Sequence, residues 1–259
     1  MSISDSFYTT AFKGAKLAKK ILRSLRAKVS PSELAGDRDI EWSFVAANMP
    51  SGPGEALDFG PGPGSSLCFI AARRGFQVTA IDLEEVRWRY SHPRLRFIRG
   101  DVLRLSLPEN SIDLILNCSS VEHVGLVGRY GISESRPDGD LEVMTLFRKL
   151  LRPQGCMLLT IPVGKDTVFP PLHRVYGNKR LSMLLEGYIV EKEEYWLKDL
   201  AQDQWYGASK AGALARPPKY WVKEQGANNW RVVTRAEALT QEPERFLYGI
   251  GCFVLRVKK

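Results

Sequence analysis

A glycine-rich turn preceded by an acidic residue occupies residues 55–64, which read EALDFGPGPG. The apolar residues before Gly60 predict a buried strand, and the following SSLCFIAARRG predicts a helix that ends at Gly75. A strand that leads through glycines into a helix exposes backbone N–H groups to a ligand, because glycine has no side chain and adopts positive φ easily. The turn is therefore predicted to bind a nucleotide-like ligand, with the carboxylate of Asp58 beside it.

Two further acidic residues stand at the ends of the next two predicted strands. Asp82 ends the strand in TAIDL, and Asp101 follows the strand in LRFIRGD. Each of them alone is equally consistent with a helix cap or a turn residue. The carboxyl ends of parallel strands meet at one edge of a sheet, however, and ligands bind in the crevice at that edge. Together the three acids predict one shared cleft, in which Asp82 is suited to accept the hydroxyl groups of a ribose.

Short apolar strands alternate with helices from residue 55 to residue 163, a pattern typical of βαβ units. SIDLILNCSS is the fourth predicted strand and CMLLTIPVG the fifth, with an amphipathic helix between them. GYIVEKEEYWL and YGIGCFVLRVKK are predicted as two later strands. The sequence therefore predicts an α/β protein with a Rossmann-like, doubly wound, mostly parallel sheet.

The order of these features resembles that of class I S-adenosylmethionine-dependent methyltransferases over residues 55 to 165. A dinucleotide site would need G-x-G-x-x-G, and the sixth position of that frame is Ser65 here. The resemblance implies seven strands with the last antiparallel, and S-adenosylmethionine as the methyl donor. It implies that Asp58 receives the donor's ammonium group, Asp82 its ribose and Asp101 its adenine. The residues expected to bind the donor are Asp58, Gly60, Gly62, Gly64, Asp82, Leu83, Asp101, Val102, Asn117 and Ser119.

A narrower resemblance rests on SSVEHVGLVGRYG, PDGDLEVM, LLRPQG, IPVG and HRVYGNKRL. These segments are similar to a small branch of uncharacterised bacterial methyltransferase-like proteins associated with the biosynthesis of glycans and cell-surface polysaccharides. The resemblance implies O-methylation of a glycan, a sugar nucleotide or a lipid-linked sugar.

A hydroxyl acceptor requires a base to remove its proton, and three residues are candidates for this part of the chemistry. His123, just after the fourth strand, is the leading candidate for the base, and His173 after the fifth strand is the second. Glu122 is expected to hold the donor or to orient the acceptor. Structural roles in turns and loops remain open for all three residues.

The loops after the fourth and fifth strands also supply candidates for binding the acceptor. Arginine side chains there are suited to hold a phosphate or carboxylate through two parallel N–H groups. The residues expected to bind the acceptor are Arg129, Tyr130, Arg174 and Tyr176. Asp138 and Asp140 are expected to cap the helix that follows them. No metal site is expected, because the acidic residues form no tight cluster in the sequence.

The positive charge of the chain is concentrated near its start. The 259-residue chain has a formal net charge of +8, and residues 1 to 30 contain seven Lys or Arg against one Asp. They predict a basic amphipathic helix with Phe12, Leu17, Ile21 and Leu25 on one side. The helix is expected to pack on its own domain, or to contact an anionic membrane surface or a partner. Residues 1–50 are the predicted basic helical region, and residues 51–259 the methyltransferase domain, with a substrate-side insertion at 199–245.

The remaining sequence features concern the cellular location and the rival functions. The chain has no apolar run long enough to cross a membrane and no secretory signal, and its four cysteines are widely spaced. A cytoplasmic protein is expected, with peripheral contact at the inner membrane surface through residues 1–30. The basic charge keeps an RNA or DNA methyltransferase as an alternative, although the fourth strand lacks an Asn/Asp-Pro-Pro-aromatic ending. A non-catalytic nucleotide-binding scaffold on the same fold is the other alternative.

Overall fold

The computed structural model describes residues 36–128, 130–199, 204–223, 230–233, 245–247 and 249–258. The basic helix predicted within residues 1–30 and the predicted acceptor residue Arg129 lie outside the described residues.

Strands and helices alternate through the first half of the described chain. The strands are β1 Gly54–Phe59, β2 Phe76–Asp82, β3 Leu95–Arg99, β4 Ile112–Cys118, β5 Leu151–Val163, β6 Thr167–Phe169, β7 His173–Val175, β8 Tyr188–Asp199, β9 Gln204–Ala208, β10 Lys219–Lys223, β11 Trp230–Val233, β12 Arg245–Leu247 and β13 Gly249–Val257. The helices are α1 Asp37–Asn48, α2 Leu67–Arg73, α3 Gly139–Leu150, α4 Asn178–Leu184 and α5 Lys210–Ala215, with 3-10 turns at Val102–Arg104 and Val121–His123.

A central eight-stranded sheet has the order β3-β2-β1-β4-β5-β13-β8-β9. The first five of these strands are parallel, and β13 runs antiparallel to both β5 and β8. This confirms the predicted Rossmann-like, doubly wound sheet with an antiparallel last strand. The sheet has one strand more than the expected seven, because β9 pairs with the free edge of β8. The strand order reverses between β1 and β4, which is where ligands bind in such sheets.

The sheet is covered on both faces, which explains why its central strands are almost continuously apolar. On one face, Phe147 of α3 belongs to a buried cluster with Leu57, Ile115 and Met157. On the other face, α1 contacts β4, β5 and β13, while α2 contacts β1, β2 and β3. The helix α1 lies within the region predicted as residues 1–50, yet it packs directly on the sheet.

The segment predicted as an insertion contains small elements of its own. Between β8 and β13 the chain forms β9 and α5, and then a separate antiparallel sheet of order β11-β10-β12. The strands β6 and β7 pair in a short antiparallel ribbon after β5. None of the helices in the described ranges is both long and apolar enough to span a membrane. All four cysteines lie in the described part of the chain and are free thiols.

Candidate functional site

A cleft of about 520 Å³ opens at the carboxyl edge of the parallel strands. Its lining includes the glycine turn after β1, the ends of β2 and β4, the 3-10 turn that follows β3, and part of the loop between β4 and α3. Asp58, Asp82 and Asp101 all line this cleft. The structure therefore brings together the three acids that the sequence places at successive strand ends, in a space of the size that small-molecule sites usually have.

The glycine turn forms the floor of the cleft. Gly60 and Gly62 have φ values of 64° and 61°, in the left-handed region that favours glycine. A Cβ atom on Gly60 would lie 2.7 Å from the Oγ of Ser120, whereas one on Gly62 or Gly64 would meet nothing within 4 Å. Gly60 is therefore needed for close packing, and the backbone at Gly62 and Gly64 faces open space that a ligand could occupy.

Asp58 is the buried acid of the site, with 1% of its surface exposed. Its Oδ2 has no hydrogen-bond partner among the described residues. Burial, and to a smaller extent the nearby Asp82 carboxylate, raise the pKa of Asp58, and a hydrogen bond from the backbone N–H of Cys68 opposes them; the net result is a pKa of about 7. An unsatisfied buried carboxylate oxygen costs free energy, so its presence beside a cleft indicates a site for a cationic or hydrogen-bond-donating ligand group.

Asp82 and Asp101 are held by backbone N–H groups. Asp82 accepts hydrogen bonds from Gly62 at 3.1 Å and from Glu84 at 3.0 Å. Asp101 accepts one from Leu103 at 3.0 Å, and so it caps the 3-10 turn as the simpler interpretation of this residue predicts. These bonds fix the directions of both carboxylates at the cleft.

The other predicted donor-binding residues divide between the cleft and the core. Leu83, Val102 and Ser119 line the cleft. Asn117 does not: it is fully buried, its Oδ1 accepts a hydrogen bond from the backbone N–H of Val121 at 3.3 Å, and its side chain faces the core. Asn117 therefore holds the turn after β4, which is a correction to the expectation that it contacts the donor.

His123 is the predicted base that lies at the cleft. Its Nδ1 is 2.6 Å from the backbone oxygen of Leu172. Because a carbonyl oxygen only accepts hydrogen bonds, Nδ1 carries the proton and Nε2 is left as the basic nitrogen. Nε2 lies 3.8 Å from Oε1 of Glu122, and the ring makes an edge contact with Tyr130, which also lines the cleft.

Arg174, which was expected to bind the acceptor, is instead buried with 2% of its surface exposed. Its guanidinium donates to the backbone oxygens of four residues at 2.7 to 3.3 Å, and its Nε lies 3.6 Å from Asp140. Those residues are Glu122, Val124, Arg136 and Pro137. Arg174 thus joins the two ends of the loop at residues 124–137, and its five N–H groups are directed at the protein.

Other predicted residues in this region also belong to the scaffold. The hydroxyl group of Tyr176 is buried and donates to Asp140 at 3.2 Å, so Tyr176 does not contact the cleft. Glu122 and His173 are buried and do not line the cleft. Asp138 occupies the N-cap position of α3 and Asp140 lies in its first turn, but no side-chain capping hydrogen bond forms there, and both acids form ion pairs with Arg180.

Helix α1 supplies cleft residues that were not predicted from the sequence. Arg38 and Trp42 line the cleft. Between them Glu41 is buried, accepting hydrogen bonds from Ser119 and from Thr160 and lying 2.6 Å from the Arg38 guanidinium. These bonds anchor α1 to the ends of β4 and β5. Arg38 and Trp42 are four residues apart and so share one side of α1, but their spacing alone does not show that this side faces the cleft.

The electrostatic character of the cleft differs from that of the chain. Its described lining contains six carboxylate side chains but three guanidinium groups, in a chain of net charge +8. The carboxylates are those of Asp58, Asp82, Glu84, Glu85, Asp101 and Glu134. Such a lining favours a ligand with a net positive charge. Within the described ranges, no group of three or more His, Cys, Asp or Glu could hold a metal ion.

Comparisons with known proteins find methyltransferase sequences that are similar to parts of this chain. Residues 56–130 match the family described as "Methyltransferase domain", and residues 104–198 match "Caenorhabditis protein of unknown function, DUF268". A "Probable S-adenosylmethionine-dependent methyltransferase" of Mycolicibacterium smegmatis is 32% identical over 143 residues, which cover 51% of this chain and 50% of the relative. A protein of the same description from Mycobacterium tuberculosis is 27% identical over 145 residues, 51% of this chain and 46% of the relative. The chain thus spans about half the length of these curated relatives.

Solved structures show a similar architecture at low sequence identity. The 1,6-didemethyltoxoflavin-N1-methyltransferase of Burkholderia thailandensis, bound to 1,6-didemethyltoxoflavin and S-adenosylhomocysteine, aligns with a TM-score of 0.51 and 16% identity, over 100% of this chain and 92% of that one. Phosphoethanolamine N-methyltransferase 2 of Haemonchus contortus, in complex with phosphomonomethylethanolamine and S-adenosylhomocysteine, aligns with a TM-score of 0.51 and 14% identity, over 85% and 53%. The fold is the Rossmann-like methyltransferase fold. At these identities the likeness concerns the fold alone.

Proposed function

We propose that this protein is an S-adenosylmethionine-dependent methyltransferase. The observation that carries the proposal is the meeting of Asp58, Asp82 and Asp101 in one cleft above a glycine turn. The match of residues 56–130 to a methyltransferase family, the curated relatives, and two structural neighbours bound to S-adenosylhomocysteine support it.

The residues of the cleft fit the parts of this donor. Its ammonium group suits the unsatisfied oxygen of Asp58, and its ribose hydroxyls suit Asp82. Asp101 and the apolar side chain of Val102 suit the adenine. The backbone of the glycine turn and the Arg38 guanidinium are suited to the carboxylate group. The donor carries one carboxylate against an ammonium and a sulfonium, so the excess of carboxylates in the cleft complements its charge.

The donor supplies a methyl group already activated on a sulfonium, so the protein's tasks are alignment of the acceptor and removal of its proton. We assign the removal of the acceptor's proton to Nε2 of His123. The Leu172 carbonyl keeps the other ring nitrogen protonated, which leaves Nε2 as the ring nitrogen that would accept the proton of an acceptor hydroxyl group. Arg174 holds the loop that places Tyr130 beside His123.

The acceptor we propose is a hydroxyl group of a glycan, a sugar nucleotide or a lipid-linked sugar. The acceptor class rests on the resemblance of the segments SSVEHVGLVGRYG and HRVYGNKRL. The aromatic side chains of Trp42 and Tyr130 at the cleft support it, because aromatic faces suit the apolar faces of sugar rings. A cytoplasmic location, with peripheral membrane contact through residues 1–30, is part of the same proposal.

Calorimetric titration tests the donor site directly. We expect the protein to bind S-adenosylmethionine and S-adenosylhomocysteine but not NAD, and we expect Asp82→Ala to abolish both interactions. Binding of NAD without binding of the other two ligands would refute the proposal. A methyl-transfer screen against sugar nucleotides and lipid-linked sugars then tests the acceptor class, and transfer to RNA alone would refute that part.

A further inference from the structure

A group of arginines occupies the edge strand β3 of the central sheet and the segment that leads into it. Residues 86–99 contain five arginines and no Asp or Glu. We call Arg87, Arg89, Arg94, Arg96 and Arg99 the arginine band. The strand β3 pairs with β2 alone, so its other edge is not covered by a strand of the described chain.

The guanidinium groups of the band are accessible to a ligand. All five arginines are exposed. Arg87 pairs with Glu85, whereas Arg96 and Arg99 each donate one bond through Nε, to the Thr79 hydroxyl and to the Leu83 carbonyl. The side chains of Arg89 and Arg94 make no hydrogen bond or ion pair to any described residue. Most of the N–H groups of the band are therefore not used within the described part of the protein.

The last two arginines of the band, Arg96 and Arg99, lie on opposite faces of β3, and this strand runs towards the cleft. From Arg94 to Arg99 the chain is extended and spans roughly 16 Å, at about 3.3 Å per residue. Gly100 and Arg104, which follow directly, line the cleft. A linear molecule that lies along the band would therefore reach the end of the cleft formed by β2 and β3.

We propose that the arginine band binds an acidic glycan chain, with its carboxylate groups on the guanidiniums and one end directed at the cleft. The proposal rests on the proposed function, since it specifies the acceptor as an acidic glycan. Arginine is the residue whose paired N–H groups match a carboxylate, and binding by several such pairs provides affinity without a deep pocket.

The surroundings of the band favour a glycan over a nucleic acid or a membrane. Single-stranded nucleic acids bind through stacking on exposed aromatic rings. Trp88 is packed between Phe69 and Phe97, with ring centroids 5.5 and 5.7 Å away, so its ring is not available for stacking. Tyr90, which is 80% exposed, is the one strongly exposed large apolar or aromatic side chain near the band in the described chain, and a single ring is not a platform on which successive bases can stack. A membrane-binding surface needs several such side chains to enter the lipid.

The test measures binding of a galacturonic acid oligomer by the full chain and by two double variants. Arg94→Glu/Arg96→Glu reverses two charges in the band. Lys149→Glu/Lys179→Glu reverses two exposed lysines elsewhere, so the net charge of the two variants is equal. Both variants keep residues 1–30, so any contribution of that basic segment is the same in both. We expect the dissociation constant to rise about tenfold or more in the first variant and less than about twofold in the second.

Each other outcome overturns the proposal. Equal losses of affinity in the two variants would show that binding depends only on net charge. If the wild-type chain does not bind the oligomer, an acidic glycan is excluded as the ligand of the band. Tighter binding of single-stranded RNA, or of phosphatidylglycerol vesicles, with the same dependence on the band would assign it to that partner. Donor binding, measured in parallel, should be the same in all three proteins. If the wild-type chain does not bind the donor, the methyltransferase proposal is refuted. Binding of the galacturonic acid oligomer to the arginine band can still be interpreted separately.

Discussion

The two sides of the cleft could not be predicted equally well from the sequence. On the side of β1, β2 and β3, the acids at the strand ends all line the cleft. On the side of the loop at residues 124–137, Arg174 and Tyr176, expected to face a ligand, hold the scaffold together instead. The difference has a physical reason. The direction of the acids at the ends of β1 and β2 follows from the sheet itself, whereas the direction of an arginine in the short β6–β7 ribbon depends on which carbonyl groups surround it.

The largest effect is expected at His123, the base on the loop side of the cleft. His123→Ala should lower the turnover of the acceptor found in the screen by about 10²- to 10⁴-fold, because proton removal is lost. Donor affinity measured by titration should stay unchanged. His92→Ala, a histidine outside the cleft, is the matched control. If His123→Ala turns over the acceptor at the wild-type rate, His123 is excluded as the base.

The next largest effect is expected at Asp58, on the strand side. Asp58→Asn should weaken donor binding by roughly 10- to 100-fold, because the ammonium loses a charged partner. The same change should stabilise the ligand-free protein at pH 8 by about 1–3 kcal/mol, since it removes a buried, unpaired charge. Urea unfolding measures the second effect. A variant that loses stability but keeps donor affinity would contradict the role given to Asp58.

Donor affinity should also depend on pH. The raised pKa of Asp58, about 7, means that the ligand-free protein increasingly binds a proton there below neutral pH. That proton must leave before the carboxylate can receive an ammonium group. We expect affinity to fall by up to about tenfold per pH unit below pH 7 and to level off above it. The stability of the ligand-free protein should change in the opposite sense, falling as pH rises from about 4 to 7. The pH dependence of affinity should be absent from Asp58→Asn, and the pH dependence of stability should be weaker there but not absent, because burial also raises the pKa of Glu41.

A smaller effect is expected from Arg174, the scaffold residue of the loop side. Arg174→Lys keeps the charge near Asp140 but cannot span four carbonyl groups. Amide hydrogen exchange at residues 124–137 should become faster, and turnover should fall by about tenfold, with donor affinity unchanged. Arg148→Lys, which alters another arginine that donates to a backbone carbonyl, is the control. Unchanged exchange in the loop of Arg174→Lys would refute the clamping role.

The parts of the site that could be predicted depend on local rules, and the others depend on tertiary contacts. Asp82 and Asp101 could be placed because a parallel sheet brings its strand ends together. Arg38 and Trp42 were missed because nothing local shows that α1 would pack against β4 and β5. The hydrogen-bond partners of Glu41, Ser119 and Thr160, are 78 and 119 residues away in the chain. The strand β9 was missed because its pairing with β8 is likewise a tertiary event.

The central claim is that three carboxylates at neighbouring strand ends surround one adenosyl ligand. A crystal structure of the protein with S-adenosylhomocysteine tests this most directly. We expect the ribose hydroxyls on Asp82, the adenine beside Asp101 and Val102, and the amino group at Asp58. Density for the ligand in another place, or in this cleft with the ribose turned away from Asp82, would contradict it.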